Sequence, residues 1–218
     1  GSESCWVALR VRYRRMLAKI AAFDLLSPSP VDQVPFVAGR LADAAAAALE
    51  ASLCVARTRV SSTGPAFPRE HVAATQLAVI GMGKTGAREL NYVSDVDVIF
   101  VYEPADETGD DHAANRAASQ LAAHLMRICS EPTAEGEIWP VDANLRPEGK
   151  SGPLVRTLAS HQGYRVGRAA SGSTGGGSGG GGASVSVMMN SCSPGLIMPN
   201  SRRARSSMMR GSADSARA

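Results

Sequence analysis

Two short apolar segments joined by a glycine-rich turn constrain the fold of this chain more than any other feature. Residues 77–80 run directly into glycines, and residues 96–102 form a second apolar segment. Each has the length and the bounding residues of a buried strand. Only eight residues, 87–94, lie between the last glycine of the turn and Asp95. Because that link is short for the crossover helix between parallel strands, we expect a tight local unit in this region.

The turn, Gly81-Met-Gly-Lys-Thr-Gly86, is compatible with three kinds of phosphate-binding loop. The first is a P-loop, because Gly83-Lys84-Thr85 matches the end of that motif. A P-loop has a further glycine five residues before its Gly-Lys pair, and position 78 is alanine. It also requires a long helix after the turn. The P-loop interpretation therefore fits poorly.

The second interpretation is a dinucleotide-binding, Rossmann-type domain. Gly81, Gly83 and Gly86 spell G-x-G-x-x-G, and Glu103 follows about 20 residues later, where a ribose-binding acid would lie. This interpretation needs a longer crossover helix than the sequence allows, and it gives no role to the acidic residues that begin the second strand. It stays an alternative.

The third interpretation is based on the acidic pair Asp95 and Asp97. Side chains two residues apart on a strand project from the same face, roughly 6.5–7 Å apart along the chain. Two carboxylates buried together without a cation would repel each other. Magnesium prefers such oxygen ligands, and two ions about 3.5–4 Å apart can stabilise both the attacking and the leaving oxygen of an in-line displacement. The pair therefore predicts a magnesium site.

A third carboxylate is expected from the alternating segment 137–145. Its alternation predicts Asp142 and Asn144 on one face of a strand. The opposite, buried face is expected to carry Trp139, Val141, Ala143 and Leu145. Asp142 is thus the candidate for the third metal ligand or the general base.

Helical periodicity appears in three other segments, at residues 6–26, 36–58 and 112–129. The inward positions of the last segment are Leu121, Leu125 and Ile128. The second segment carries a narrow stripe of Leu41, Ala45, Leu49 and Leu53. The basic residues of the first segment are expected on a solvated face, and they are Arg10, Arg12, Arg14, Arg15 and Lys19.

The pattern changes at the C-terminal end of the chain. Residues 171–183 are almost entirely glycine and serine, which gives a linker unable to form a core. We therefore expect an α+β fold with a helical N-terminal segment (1–60), a core (61–162) and a disordered tail (163–218). The chain begins without methionine, and we expect it to be a fragment.

Composition gives no support to several classes of function. A formal net charge of +3 over 218 residues is too small to indicate nucleic-acid or membrane binding. The four cysteines show no C-x-x-C pair, which argues against a zinc site and is typical of free thiols in a reducing compartment. No apolar run approaches the length of a membrane-spanning helix.

The segment 78–101, Ala-Val-Ile-Gly-Met-Gly-Lys-Thr-Gly-Ala-Arg-Glu-Leu-Asn-Tyr-Val-Ser-Asp-Val-Asp-Val-Ile-Phe-Val, closely resembles a signature of the glutamine synthetase adenylyltransferase family. So do the segments 141–149 and 152–156. The resemblance covers roughly residues 6–162. It implies a polymerase-beta-like nucleotidyltransferase core, in which a strand, a glycine turn and a short helix precede the strand that carries Asp-x-Asp.

The resemblance also implies a cytoplasmic enzyme that uses ATP and Mg²⁺ to attach AMP to a tyrosine of glutamine synthetase, and removes it by phosphorolysis. The family carries two such domains in tandem and is regulated by the P-II protein. The amino-acid sequence of the motifs resembles that of the N-terminal, deadenylylating domain of actinobacterial members. A fragment that only binds glutamine synthetase or P-II is the non-enzymatic alternative.

Carried over to this sequence, the resemblance gives each site residue a role. Asp95, Asp97 and Asp142 would be the catalytic metal ligands. The nucleotide-binding residues would be Gly83, Lys84, Ser94 and Arg146. A surface ion pair with Glu148 is an alternative role for Arg146, and Glu89 and Asn91 are expected to shape the turn. After residue 162 the resemblance is lost, and we expect a frameshift or truncation there, which resequencing of the gene would test.

Overall fold

The computed structural model describes residues 2–64, 67–103, 111–163 and 186–189, with the backbone alone for residues 2–4 and 186–189. The α-helices are α1 (Ser2–Leu25), α2 (Pro30–Val60), α3 (Arg69–Ala74), α4 (Gly83–Ala87) and α5 (Asp111–Ser130), and a 3-10 helix spans Gly149–Ser151. The strands are β1 (Gln76–Gly81), β2 (Val96–Glu103), β3 (Val141–Asp142), β4 (Val155–Thr157) and β5 (Ser186–Met189). The chain is therefore a mixed helical and sheet structure.

The long helices α1, α2 and α5 pack against one another and share one hydrophobic core with the sheet. The stripe predicted on α2 is buried, and Leu121, Leu125 and Ile128 of α5 are fully enclosed. Small side chains allow the close contact between α2 and α5, since Ala45, Ala118 and Ala122 all lie in the core. The apolar periodicity therefore correctly predicted which faces of α2 and α5 are buried.

The sheet has the order β3-β2-β1-β5, and β4 pairs with β2 beyond the end of β3. β1 and β2 are antiparallel, with Leu77 opposite Tyr102 and Gly81 opposite Val98. The Rossmann alternative is therefore wrong, because that fold needs these strands to be parallel and joined by a crossover helix. The P-loop interpretation also fails, since α4 has only five residues.

Arg10 corrects the prediction of a solvated basic face on α1. Its side chain is fully buried, whereas Arg12, Arg14, Arg15 and Lys19 are exposed. The Arg10 guanidinium donates to the carbonyl oxygens of Gly136 (2.8 Å), Ile128 (2.9 Å) and Glu131. It thereby joins α1 to the end of α5 and to the segment that leads into β3.

Three further predictions change in detail. The strand predicted over 137–145 contracts to β3, because a turn follows Ala143, and Leu145 is 54% exposed instead of buried. The short helix α3 lies where we made no prediction. Most of the tail predicted to be disordered lies outside the described residues, but within it β5 pairs antiparallel with β1.

Candidate metal and nucleotide site

The glycine turn lies directly against the second acidic residue. The Met82 amide donates to the Asp97 carbonyl oxygen (2.8 Å), which closes the turn onto the start of β2. Gly83 has a φ of 50°, in the left-handed region, and a Cβ atom there would lie 2.6 Å from Asp97 Oδ2. Only glycine satisfies both conditions without strain. The turn is therefore built to bring backbone close to the Asp97 carboxylate.

The structure gathers the three predicted carboxylates in one place. Asp95, Asp97 and Asp142 each offer an oxygen atom within 4.8 Å of the other two. The strand register explains the convergence, because β2 and β3 are parallel and pair Asp97 directly with Asp142. Paired residues on adjacent strands project from the same face of the sheet. Asp95 immediately precedes β2 and completes the group, which we call the carboxylate cluster.

The electrostatics of the carboxylate cluster indicate uncompensated negative charge. Burial raises the pKa of Asp97, and the charges of Asp95 and Asp142 raise it further. The Lys84 ammonium group acts in the opposite direction and lowers this pKa. Asp97 is half-buried and Asp95 is exposed, so the cluster faces solvent on one side. A divalent cation would offset the repulsion that raises the pKa of Asp97.

The other predicted residues surround the carboxylate cluster in different ways. The exposed side chain of Lys84 follows Gly83, and Ser94 is half-buried one residue before Asp95. Asp142 Oδ1 accepts a hydrogen bond from the Asn144 amide (2.7 Å), which fixes the orientation of this carboxylate. Turn residues after a strand frequently orient carboxylates in this way.

The Arg146 side chain is held by hydrogen bonds to backbone carbonyl groups, not by an acidic side chain. Its Nη1 donates to the Ala143 carbonyl oxygen (2.7 Å) and its Nε to that of Gly152 (3.3 Å). The alternative of an ion pair with Glu148 is wrong, because Glu148 instead accepts from Arg156 Nη2 (2.8 Å). Arg146 is thus held beside the carboxylate cluster with a fixed guanidinium plane.

A groove of about 740 Å³ adjoins the carboxylate cluster, and we call it the β3 groove. Asp95 and Asp142 form part of its lining, and Arg146 and Lys150 contribute positive charge. Sequence reasoning missed Lys150. No spacing rule could have found it, because it enters the groove through the fold of the loop between β3 and β4.

Two further contacts, both missed from sequence, hold the segment between α4 and β2. Arg88 ends α4 with a left-handed φ of 63° and donates with both Nη atoms to the Asp43 carboxylate on α2. The Tyr92 hydroxyl donates to Asp24 Oδ2 on α1 (3.0 Å). The helical layer therefore helps to position the loop that delivers Asp95.

The donor set fits magnesium. All three candidate ligands are carboxylates, which are the hard oxygen donors that this ion prefers, and one side stays open for substrate oxygens. Gly83 packs so closely against Asp97 that a Cβ atom there would collide with the carboxylate, so the backbone of the turn lies directly beside the candidate ligands.

Comparison with known proteins identifies the family of this chain. The model of the family described as glutamate-ammonia ligase adenylyltransferase matches residues 2–171. The chain belongs to this family. The match extends past residue 162, where we place the loss of resemblance, and stops where the glycine- and serine-rich segment begins.

Relatives of this adenylyltransferase family member share about half of its residues. It is 53% identical over 166 residues to the bifunctional glutamine synthetase adenylyltransferase/adenylyl-removing enzyme of Leifsonia xyli subsp. xyli, covering 75% of this chain and 16% of that protein. The proteins of the same name from Streptomyces avermitilis and Streptomyces coelicolor are each 57% identical, over 158 and 161 residues, covering 72% of this chain and 15% of theirs. The chain thus spans about one-sixth of the length of the curated relatives it matches. Within its described part, no helix combines the length and apolar character needed to cross a membrane.

Proposed function

We propose that this chain carries a magnesium-dependent nucleotidyltransferase site of the polymerase-beta type, which transfers AMP to or from a tyrosine of glutamine synthetase. The observation that carries the proposal is the convergence of Asp95, Asp97 and Asp142 beside the Gly83 turn. Three carboxylates whose oxygen atoms lie within 4.8 Å of one another repel, and a shared divalent cation would offset that repulsion.

The chemistry is an in-line displacement at the α-phosphorus of the nucleotide. In the attaching direction, the tyrosyl oxygen forms a bond to that phosphorus, the bond to the β-phosphate oxygen breaks, and pyrophosphate leaves. In the removing direction, an oxygen of inorganic phosphate forms a bond to the same phosphorus and the bond from that phosphorus to the tyrosyl oxygen breaks. ADP is formed, and the tyrosyl oxygen takes up a proton. Bound magnesium would neutralise the phosphate oxygens and stabilise charge on the entering and leaving oxygens.

The residues of the chain divide this work. Asp95, Asp97 and Asp142 would hold the ions, with Asp142 also placed to exchange the tyrosyl proton. Backbone amides at Gly83 can approach the phosphates because no side chain intervenes. The positive charge of Lys84 lies near enough to lower the pKa of Asp97, so it is also placed to neutralise a phosphate beside that carboxylate.

We infer the protein substrate and the regulator from the family. The relatives are named for glutamine synthetase and for both attaching and removing the adenylyl group. The motifs resemble the removing domain, so we propose phosphorolytic removal as the main direction for this chain. We propose P-II as the protein that regulates the site.

Two reactions test this proposal with the purified chain. Adenylylated glutamine synthetase with inorganic phosphate and Mg²⁺ should release ADP, and unmodified glutamine synthetase with α-labelled ATP should take up label more slowly. Asp97→Asn should lower both rates by more than about 100-fold, since loss of even outer-shell support costs metal sites 10–100-fold.

Asp32→Asn is the matched control, because Asp32 is an exposed carboxylate in the first turn of α2. It should react like the unmodified chain. If neither reaction occurs while glutamine synthetase or P-II still binds the chain, the non-enzymatic alternative holds and the catalytic proposal fails.

A further inference from the structure

The β3 groove has two chemically different walls. Ala123 and Met126 of α5 form an apolar wall together with Leu154. Asn144, Arg146 and Lys150 supply the polar part of the lining. A volume of about 740 Å³ lies within the range of roughly 300–1,000 Å³ that is typical of small-molecule sites. The groove therefore suits a ligand with one flat apolar part and one anionic part.

The β3 groove and the glycine turn adjoin different members of the carboxylate cluster. Asp95 and Asp142 line the groove. Asp97 is instead the carboxylate that lies against Gly83. A ligand that reaches both the groove and the turn therefore passes the cluster.

We propose that the β3 groove holds the nucleoside part of the nucleotide, with the purine ring on Ala123, Met126 and Leu154. This inference rests on the proposed function and assigns the orientation of its nucleotide. The ribose and α-phosphate lie against Arg146 and Lys150, and the remaining phosphates extend across the carboxylate cluster toward the Gly83 turn.

The two ends of the nucleotide favour different surroundings. A polyphosphate chain gains nothing from an apolar wall and would lose hydration there, whereas a purine ring gains by removing its faces from water. Ala123 is exposed on the surface of α5, so the wall has uncovered apolar area for a ring to cover. Arg146 is already fixed by two backbone carbonyl groups, and a planar guanidinium suits both oxyanions and ring faces.

Filling the groove from the helix surface tests the assignment. Ala123→Leu and Ala123→Trp place progressively larger side chains against the apolar wall. Ala47→Leu and Ala47→Trp are the matched controls, because Ala47 is an exposed alanine on α2 that does not line the groove. The leucine variants protect the test against misfolding, since leucine is nearly as good a helix former as alanine.

Two probes are titrated calorimetrically into each variant with Mg²⁺ present: ATP and inorganic tripolyphosphate, which has the phosphates but no nucleoside. We expect Ala123→Trp to weaken ATP binding by about tenfold or more, with Ala123→Leu intermediate. Tripolyphosphate binding should stay within about twofold of that of the unmodified chain, because the phosphate end is untouched. The Ala47 variants should bind both probes normally.

Equal ATP binding by Ala123→Trp and Ala47→Trp would overturn the assignment, and so would an equal loss of ATP and tripolyphosphate in Ala123→Trp. Retained ATP binding with loss of transfer to the protein would place the acceptor tyrosine in the groove instead. These results leave the proposed function standing. Absence of magnesium-dependent ATP binding by the unmodified chain would instead reject the nucleotide site itself, and the groove assignment with it.

Discussion

At the scale of single residues, Gly83 links the glycine turn to the carboxylate cluster. We predict that Gly83→Ala destabilises the fold by about 1–3 kcal/mol, because alanine in a left-handed conformation is strained. The new Cβ atom would also push the Asp97 carboxylate away, so magnesium affinity should fall more than stability alone explains. Chemical denaturation and magnesium titration measure the two effects.

Gly163→Ala is the control for this substitution, because a Cβ atom at residue 163 meets no atom within 4 Å. It should leave magnesium affinity unchanged and should not lower stability, since residue 163 is helical and alanine is favoured over glycine in a helix. Unchanged magnesium affinity in Gly83→Ala would show that the contact between Gly83 and Asp97 does not set the position of that carboxylate.

Cys129 gives a prediction about alkaline pH. Burial raises the pKa of its thiol from the ordinary 9.0 to about 11, against the hydrogen-bonding contact with Ser52. Its contribution to stability is complete below pH 9, where the thiol is protonated in both states, and is lost as the pH rises to about 11. Two pKa units correspond to a loss of roughly 2–3 kcal/mol in the free energy of unfolding.

The test of this prediction is the slope of stability against pH, not the stability itself. Cys129→Ala should be less stable at pH 8 but should lose less stability between pH 9 and 11. Cys5→Ala removes an exposed thiol and should keep the original slope. Parallel slopes for Cys129→Ala and the unmodified chain would contradict the assignment to Cys129.

At the scale of elements, the sequence pattern predicted the features that follow from a regular spacing of residues. The stripe on α2 and the inward face of α5 follow from helical spacing, and the acidic pair follows from a spacing of two on a strand. Leu145 shows the limit, because alternation cannot reveal that the chain turns after Ala143. Lys150 shows another, since its place in the β3 groove depends on a loop with no period.

Arg10 was mispredicted for a related reason. Periodicity assigns every arginine to solvent, but carbonyl groups at the end of a helix have no partners within the helix and can enclose a guanidinium. The acceptors lie at Ile128, Glu131 and Gly136, more than a hundred residues away in sequence. Only the packing of α1 on α5 brings them together.

The buried guanidinium of Arg10 makes a strong prediction about stability. Arg10→Met should lower the free energy of unfolding by about 3 kcal/mol or more, because several buried carbonyl groups lose a charged donor. Arg12→Met on the exposed face of the same helix should change it by no more than about 0.5 kcal/mol. Denaturant titration compares the two variants. Similar losses of unfolding free energy in both would show that Arg10 does not stabilise the end of α5.

At the scale of the whole molecule, the site is assembled from parts that fold together. The carboxylate cluster depends on the register of β2 with β3, on a loop tied to α1 by Tyr92 and on a turn tied to α2 by Arg88. Sequence motifs located the acids, but the contacts that hold them come from two helices and two strands. Stability and ion binding should therefore be coupled.

Because of that coupling, Asp97→Asn should have opposite effects on stability in the absence and in the presence of Mg²⁺. Without a divalent ion, Asp97→Asn should be more stable than the unmodified chain, because it removes one of three carboxylates that lie within 4.8 Å of one another. With Mg²⁺ at roughly 100 times its Kd, the unmodified chain should gain about 2.7 kcal/mol, whereas Asp97→Asn should gain much less. The order of stability then reverses, and thermal unfolding with EDTA and with Mg²⁺ measures it, using Asp32→Asn as the control. If the order stays the same in both buffers, the three carboxylates do not share an ion.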